Sequence, residues 1–271
     1  MPELPEVETS LRGIAPHLEG RQILRLDARE RRLRWPVPET VDLAVAGQRI
    51  IQLRRRAKYL LLQLETGTLL LHLGMSGSLR VVPATTPPLP HDHIDLVLTD
   101  GNCLRLRDPR RFGSLHWVQG PPETHPLLAH LGPEPLGDAF TGAYLHQQAR
   151  GRRAPVKAFI MDSHVVVGVG NIYANEALHL AGIHPARAAG RISALRIDTL
   201  ARAITRVLAA AIAEGGTSLR DFVREDGNPG YFAQSLRVYG RTDQPCPSCG
   251  APVRHRRIAQ RSSFYCPRCQ R

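Results

Sequence analysis

Lysine is nearly absent from this 271-residue chain: of 36 basic residues, only Lys58 and Lys157 are not arginine. Arginine stays protonated, so chemistry that needs an amine which can lose its proton is confined to these two lysines and the chain's N-terminus. Acidic residues are also outnumbered, 24 against 36, and the resulting net charge of +12 argues for a polyanionic partner, of which nucleic acid is the commonest. No stretch resembles a signal peptide or a bilayer-spanning helix, which takes about 20 apolar residues. The apolar runs, such as Tyr59–Leu62 and Leu69–Leu71, are strand-length, and a cytoplasmic protein is expected. Cysteine is scarce, and four of the five lie in two close pairs. In a reducing compartment that spacing favours a metal over disulfides. The fifth, Cys103, sits in an apolar alternation and reads as a buried thiol.

The length suits two domains. Leu4, Val7, Leu11, Ile14 and Leu18 form one helical stripe. Pro2 and Pro5 lie at its entrance, and Glu3, Glu6 and Glu8 sit in or beside its first turn, where the helix dipole favours them. Eight short apolar or alternating runs follow: Ile23–Leu26, Ile50–Leu53, Tyr59–Leu64, Leu69–Leu73, Leu79–Val82, Ile94–Leu98, Leu104–Leu106 and Leu115–Val118. Many short strands with turn signals predict a β-sandwich. Pro83–Pro90 reads as a surface loop, and the Gly- and Pro-rich stretch Gly120–Gly137 as a domain boundary. Helices are predicted over Ala143–Ala149, Val156–Asp162, Ile172–Ala181 and Ser193–Glu214. Ser193 is expected to cap the last of these and Gly215-Gly216 to end it. Asp226–Gly230 reads as a loop.

The strongest motif is Cys246-x2-Cys249, sixteen residues, then Cys266-x2-Cys269. Four thiolates in two knuckles give a closed tetrahedral zinc site, which folds a tail and leaves no open position for substrate. Residues 237–271 hold eight arginines and a single acid, Asp243, so this finger is expected to touch DNA. Gly168-Val-Gly-Asn171 opens a helix beside Arg150, Arg152, Arg153 and Lys157, a setting suited to phosphate. Met75, Arg110 and Phe112 lie on turns beside basic residues, where apolar side chains can wedge into a duplex, although local spacing alone favours the core for Met75 and Phe112. Met1-Pro2-Glu3 is the catalytic candidate. Removal of Met1 exposes a secondary amine of pKa about 8, able to attack a sugar C1′ and form an imine-type intermediate.

Together these pieces resemble the bacterial formamidopyrimidine-DNA glycosylase family, also called MutM or 8-oxoguanine DNA glycosylase. The resemblance spans the chain. It rests on residues 1–9, Arg56-Ala-Lys-Tyr59, His72–Gly77, Asp108–Gly113, Val166–Ala174, Gly227–Gln234 and the cysteines with Gln260–Tyr265. It implies a multi-domain α+β fold: an N-terminal β-sandwich with its helix over 1–130, a helix–two-turns–helix domain over 131–235 and a zinc finger over 236–271. It implies a monomer that binds one structural zinc and double-stranded DNA containing oxidised bases, removes oxidised purines, and cuts the abasic site by β,δ-elimination. Pro2 then matches the Schiff-base nucleophile, Glu3 the general acid that opens the sugar, and Glu6 a supporting carboxylate. Lys58 matches the proton donor of β-elimination, and Arg261 the residue tied to δ-elimination. His72, Asn171, Tyr239, His91 and Arg153 match DNA contacts. Met75, Arg110 and Phe112 match the fillers of the gap left by the flipped base, and Thr217–Phe232 the loop that closes over it. The alternatives are the endonuclease VIII branch, which prefers oxidised pyrimidines, and a non-catalytic zinc protein that binds damaged DNA.

Overall fold

The computed structural model describes residues 2–216 and 235–271. Among these, the chain forms two compact units, one of residues 2–129 with 215–216, the other of residues 130–214 with 235–271. The Asp226–Gly230 loop, the Gly227–Gln234 motif and the closing loop expected over Thr217–Phe232 lie outside the described residues.

The first unit opens with helix α1, Leu4–Leu18; of the expected stripe, Leu4, Val7, Ile14 and Leu18 are each at most 1% exposed, and Leu11 is half-buried against the same core. All eight expected strands form. They are β1 (Ile23–Ala28), β2 (Ile50–Arg56), β3 (Tyr59–Leu64), β4 (Thr68–His72), β5 (Ser78–Pro83), β6 (Asp92–Leu98), β7 (Asn102–Arg107) and β8 (Ser114–Val118). They make two antiparallel sheets, ordered β2-β3-β4-β8 and β1-β6-β7-β5. Inward aliphatics of both, including Leu60, Leu62, Leu69, Leu71, Ile94, Leu96, Leu104 and Leu106, share one core. Burying each such side chain contributes roughly 1.5–3 kcal/mol. Helix α1 packs on β2 and β3 of one sheet and on β5 of the other. A short helix α2, Thr40–Val45, was not foreseen, because six residues hold too little periodicity to read.

The outer face of β6 is also closed. Asp95, 4% exposed, accepts two hydrogen bonds from Arg29 and two from Arg105. Arg105 donates further to the carbonyls of Thr86 and Pro87, which fixes the Pro-rich stretch over the sheet. Cys103 is fully buried, as expected.

The second unit contains α3 (Gly142–Ala149), α4 (Val156–Ile160), α5 (Asn171–Leu180) and α6 (Ala194–Ala213). Helix α6 packs on α3 and α5. Ser193 occupies the N-cap position of α6, yet its side chain makes no capping bond. Its extended backbone begins the helix and its hydroxyl contributes nothing to it, which corrects the expected cap. Gly215, with φ of 77°, supplies the left-handed step after the helix. The tail adds an unforeseen hairpin, β9 (Arg254–Ile258) and β10 (Arg261–Tyr265).

Candidate active site

Pro2 and Glu3 form the extended, buried entry to α1, with Glu3 at the N-cap. Glu3 and Glu6 cap each other: Glu6 Oε2 accepts the Glu3 amide at 2.8 Å, and the Glu3 side chain accepts the Glu6 amide. This reciprocal box satisfies two donors that a helix start otherwise leaves without partners. It also fixes the carboxylate of Glu3, the residue that follows Pro2. Glu3 and Glu6 are both 2% exposed.

Lys58 sits in the two-residue turn between β2 and β3, after Ala57, whose φ is 55°. A left-handed alanine is strained. Arg55 holds the turn: its Nη1 donates to the Ala57 carbonyl and its Nε to Glu8 of α1 at 2.8 Å. Hydrogen bonds from Arg55 and Arg12 outweigh the effect of burial on Glu8 and lower its pKa. One ion pair thereby ties the helix that follows Pro2 and Glu3 to the turn that carries Lys58.

His72 ends β4, opposite Tyr59, with ring centroids 4.7 Å apart. Burial, then the charges of Lys58 and Arg34, push its pKa down to about 4. Its Nδ1 accepts the Gly74 amide at 2.9 Å, so the proton sits on Nε2. The result is a neutral ring with a single N–H donor, of the kind that can serve a phosphate oxygen. Nuclear magnetic resonance titration of the imidazole should show the Nε2–H tautomer persisting below pH 5. Because the folded value lies below the ordinary 6.5, the unfolded chain binds more protons between the two. The stability His72 lends above pH 6.5 should therefore drain away as the pH falls toward 4. A midpoint near 6.5 would remove this assignment.

Met75, Arg110 and Phe112 stand on two turns that touch. A Cβ on Gly74, whose φ is 64°, would lie 2.3 Å from the Phe112 carbonyl carbon, so the backbones meet where only glycine fits. Phe112 is 43% exposed, with the Arg110 guanidinium 4.9 Å from its ring centroid. Met75 is half-buried. Local spacing favoured the core for both; the turns instead hold Phe112 at the surface. His91, exposed with φ of 76°, precedes β6.

In the second unit, Gly168 has φ of 80° and Gly170 is the N-cap of α5, so Asn171 is its first residue. The Asn171 Oδ1 has no hydrogen-bond partner among the described residues. Asn171 thus stands at a helix start, the end of a helix whose dipole favours anions. Arg153 is exposed before α4. Tyr239 stacks edge-on to Phe264 of β10, with centroids 5.1 Å apart, and Arg261 begins that strand. The hairpin turns at Ala259 and Gln260, both left-handed with φ of 45° and 65°.

Matches cover most of the chain. Residues 1–115 match the formamidopyrimidine-DNA glycosylase N-terminal domain, 131–223 the H2TH domain of that enzyme, and 243–271 a zinc finger found in FPG and IleRS. The chain belongs to the formamidopyrimidine-DNA glycosylase family. A formamidopyrimidine-DNA glycosylase of Alkalilimnicola ehrlichii is 62% identical, with all of both chains covered. The MutM (Fpg) protein of Thermus thermophilus superposes with a TM-score of 0.89 at 40% identity, covering 99% of this chain and 98% of that one. Lactococcus lactis Fpg in complex with Fapy-dG DNA gives 0.92 at 30%, covering 99% and 100%.

The family's zinc finger is complete. The Sγ atoms of Cys246, Cys249, Cys266 and Cys269 all lie within 4.8 Å of one another, with Cys246 to Cys269 at 3.9 Å and Cys249 to Cys266 at 3.4 Å. A tetrahedron with Zn–S of about 2.3 Å places sulfurs about 3.8 Å apart, so the set fits one structural zinc. The amides of Ser248 and Cys269 each reach a ligand sulfur at 3.4 Å. The buried His179 ring of α5 lies 3.4 Å from Cys246 Sγ.

In the second unit, other buried residues hold the candidate site segments in place. Glu176, 3% exposed, accepts the amides of Arg237, Val238 and Tyr239. Asn175 accepts the Phe264 amide and donates to the Asn171 carbonyl. Lys157, 1% exposed, donates to the Ser262 carbonyl and the Ser263 hydroxyl. Sequence reasoning missed Glu176 and Asn175, and it placed Lys157 only in a basic neighbourhood, not under the hairpin. The available signals were polar residues at inward helix positions and the rarity of lysine.

Proposed function

We propose that this chain is a bifunctional DNA glycosylase and abasic-site lyase of base excision repair. On this reading it acts as a cytoplasmic monomer on double-stranded DNA bearing 8-oxoguanine or formamidopyrimidines. Residues 1–130 do the chemistry, 131–235 hold phosphates and 236–271 form the zinc finger. The observation that carries the reading is the buried Pro2-Glu3 start, locked by Glu6, in a chain that matches its family over its whole length.

With Met1 removed, the Pro2 nitrogen forms a bond to C1′ of the damaged nucleotide. The base leaves with the electrons of the broken glycosidic bond and takes up a proton. Glu3 gives a proton to O4′ as the C1′–O4′ bond opens, and Pro2 loses its N–H proton, leaving an iminium. A proton leaves C2′, its electrons flow toward the iminium, and the 3′-phosphate departs, its oxygen served by Lys58. Loss of a second proton, from C4′, releases the 5′-phosphate beside Arg261. Water then hydrolyses the Schiff base and restores the amine. His72, Asn171, Tyr239, His91 and Arg153 hold the backbone, as most protein–DNA hydrogen bonds do. Met75, Arg110 and Phe112 fill the space of the extruded base.

Duplexes carrying 8-oxoguanine, formamidopyrimidine, thymine glycol or an abasic site provide the test. Incision of the first two and of the abasic duplex, with phosphate on both ends of a one-nucleotide gap, is expected. Preference for thymine glycol would move the chain to the pyrimidine branch. Binding without incision would make it a damage-binding zinc protein.

A further inference from the structure

We infer that Asp108 is the positioning residue of the base-extruding wedge: one buried carboxylate that fixes both turns on which Met75, Arg110 and Phe112 stand. The inference rests on the wedge reading of those three side chains.

Asp108 is fully buried. Its Oδ1 accepts the Ser76 hydroxyl at 2.9 Å, and its Oδ2 accepts the Gly113 amide at 2.7 Å. Ser76 follows Met75 in one turn, and Gly113 follows Phe112 in the other. The Ser76 oxygen also accepts the Arg110 amide at 3.3 Å, so hydroxyl and carboxylate make a continuous chain from turn to turn. The Asp108 backbone extends the node. Its carbonyl faces His93 Nε2 at 2.9 Å, and its amide donates to the His91 carbonyl at 3.0 Å. No cation pairs with the Asp108 carboxylate among the described ion pairs. Short hydrogen bonds to a charged acceptor are the strong and directional kind, and breaking one inside a protein leaves a buried polar group without a partner.

The geometry explains why such an anchor is needed. An exposed aromatic with an arginine stacked on it has little packing of its own to resist the push of a base stack. Force on Phe112 passes through Gly113 to Asp108 Oδ2, and force on Met75 passes through Ser76 to Oδ1. The close approach at Gly74 leaves no room for the turns to slide. Asp108 touches no reacting atom in this scheme. Its loss should therefore slow the step that removes a paired base from the stack and spare a substrate that has no base to extrude.

The test compares single-turnover incision of one duplex carrying 8-oxoguanine opposite cytosine with the same duplex carrying a preformed abasic site. It uses the full, zinc-loaded chain. Asp108→Asn keeps an acceptor for the Gly113 amide but turns an N–H₂ toward Ser76, and Ser76→Ala removes the bridge while leaving the carboxylate. Each should slow the paired lesion at least tenfold and the abasic duplex less than twofold. Fluorescence of 2-aminopurine beside the lesion should report slower extrusion. If Asp108→Asn does not fold, Ser76→Ala carries the comparison. Equal losses on both duplexes would make the node merely structural and overturn the inference. Phe112→Ala separates the two readings. If it discriminates between the substrates while Ser76→Ala and Asp108→Asn do not, the anchoring falls and the wedge stands. If Phe112→Ala fails to discriminate, both fall.

Discussion

Borohydride added during turnover is expected to trap a covalent protein–DNA adduct, and mass mapping should place it on Pro2. Only amines can form the imine, and the chain offers its N-terminus, Lys58 and Lys157. Burial excludes Lys157, whose Nζ is committed to the Ser262 carbonyl at 2.6 Å and the Ser263 hydroxyl at 2.7 Å. Between the remaining two, basicity decides. At pH 7.5 an α-amine with pKa about 8 is roughly one-quarter unprotonated, and a lysine with pKa about 10.4 roughly one part in a thousand. The proline adduct is also a fixed cation, because a secondary amine gives an iminium that cannot lose a proton from nitrogen. Chain that retains Met1 should neither trap nor cut, a loss of roughly a thousandfold or more for a missing nucleophile. Glu3→Gln should lose about 10²–10⁴ in base removal and keep some lyase activity on a preformed abasic site. An adduct mapped to Lys58 in chain lacking Met1 would overturn the assignment.

Removing the metal should have an effect of similar size on binding. The apolar cluster under the finger is small, centred on Val238, Val253, Cys246 and Cys266, and a two-stranded hairpin alone is marginal. Structural zinc sites contribute roughly 10–16 kcal/mol in small domains, so the metal is the main organiser of the tail. Cys249→Ser should leave one zinc ligand missing and untie the turn that presents Arg261 and the segment that presents Tyr239. Affinity for lesion DNA should fall at least a hundredfold, while far-ultraviolet circular dichroism keeps the signal of α3 to α6. Active protein found to hold no zinc would end this reading, and so would a Cys249→Ser variant that binds DNA normally.

Periodicity made the elements of both units legible where burial is one-sided. Helix α1 and strands such as β1 and β2 bury one clear set of aliphatics, strands buried on both faces such as β4 and β6 read as short apolar runs, and the bounds are close to those expected. The β9–β10 hairpin escaped because its strands carry no such signal: Arg254, His255, Arg256 and Arg257 are all exposed. It is held by metal and by polar ties to helices, which no hydrophobic pattern reports. Ser193 shows the reverse case, a residue suited to capping whose side chain does none. Motif likeness singled out Pro2, Glu3, Lys58 and Arg261 as candidates, but the groups that hold those positions were not visible. Glu8 read as a dipole partner and Arg55 carried no signal of its own, whereas together they tie a helix to a turn. Asp108 stood inside a quoted motif, with nothing in its spacing to say that it joins two turns.

Backbone strain in this molecule is unevenly distributed. Among the described residues, six other than glycine have left-handed φ: Ala57, His91, Arg111, Ala259, Gln260 and Asp243. All but Asp243 and Ala259 are themselves, or adjoin, residues assigned to DNA or catalysis, and Ala259 shares its turn with Gln260, next to Arg261. Such conformations cost on the order of 1 kcal/mol each against a total margin of about 5–15 kcal/mol. Selection for heat resistance alone would place glycine at Ala57 or Ala259 and relieve it. On the proposed roles of Lys58 and Arg261, a looser turn would let either side chain wander from its phosphate, and these positions would then mark where durability and cutting speed pull the sequence in opposite directions.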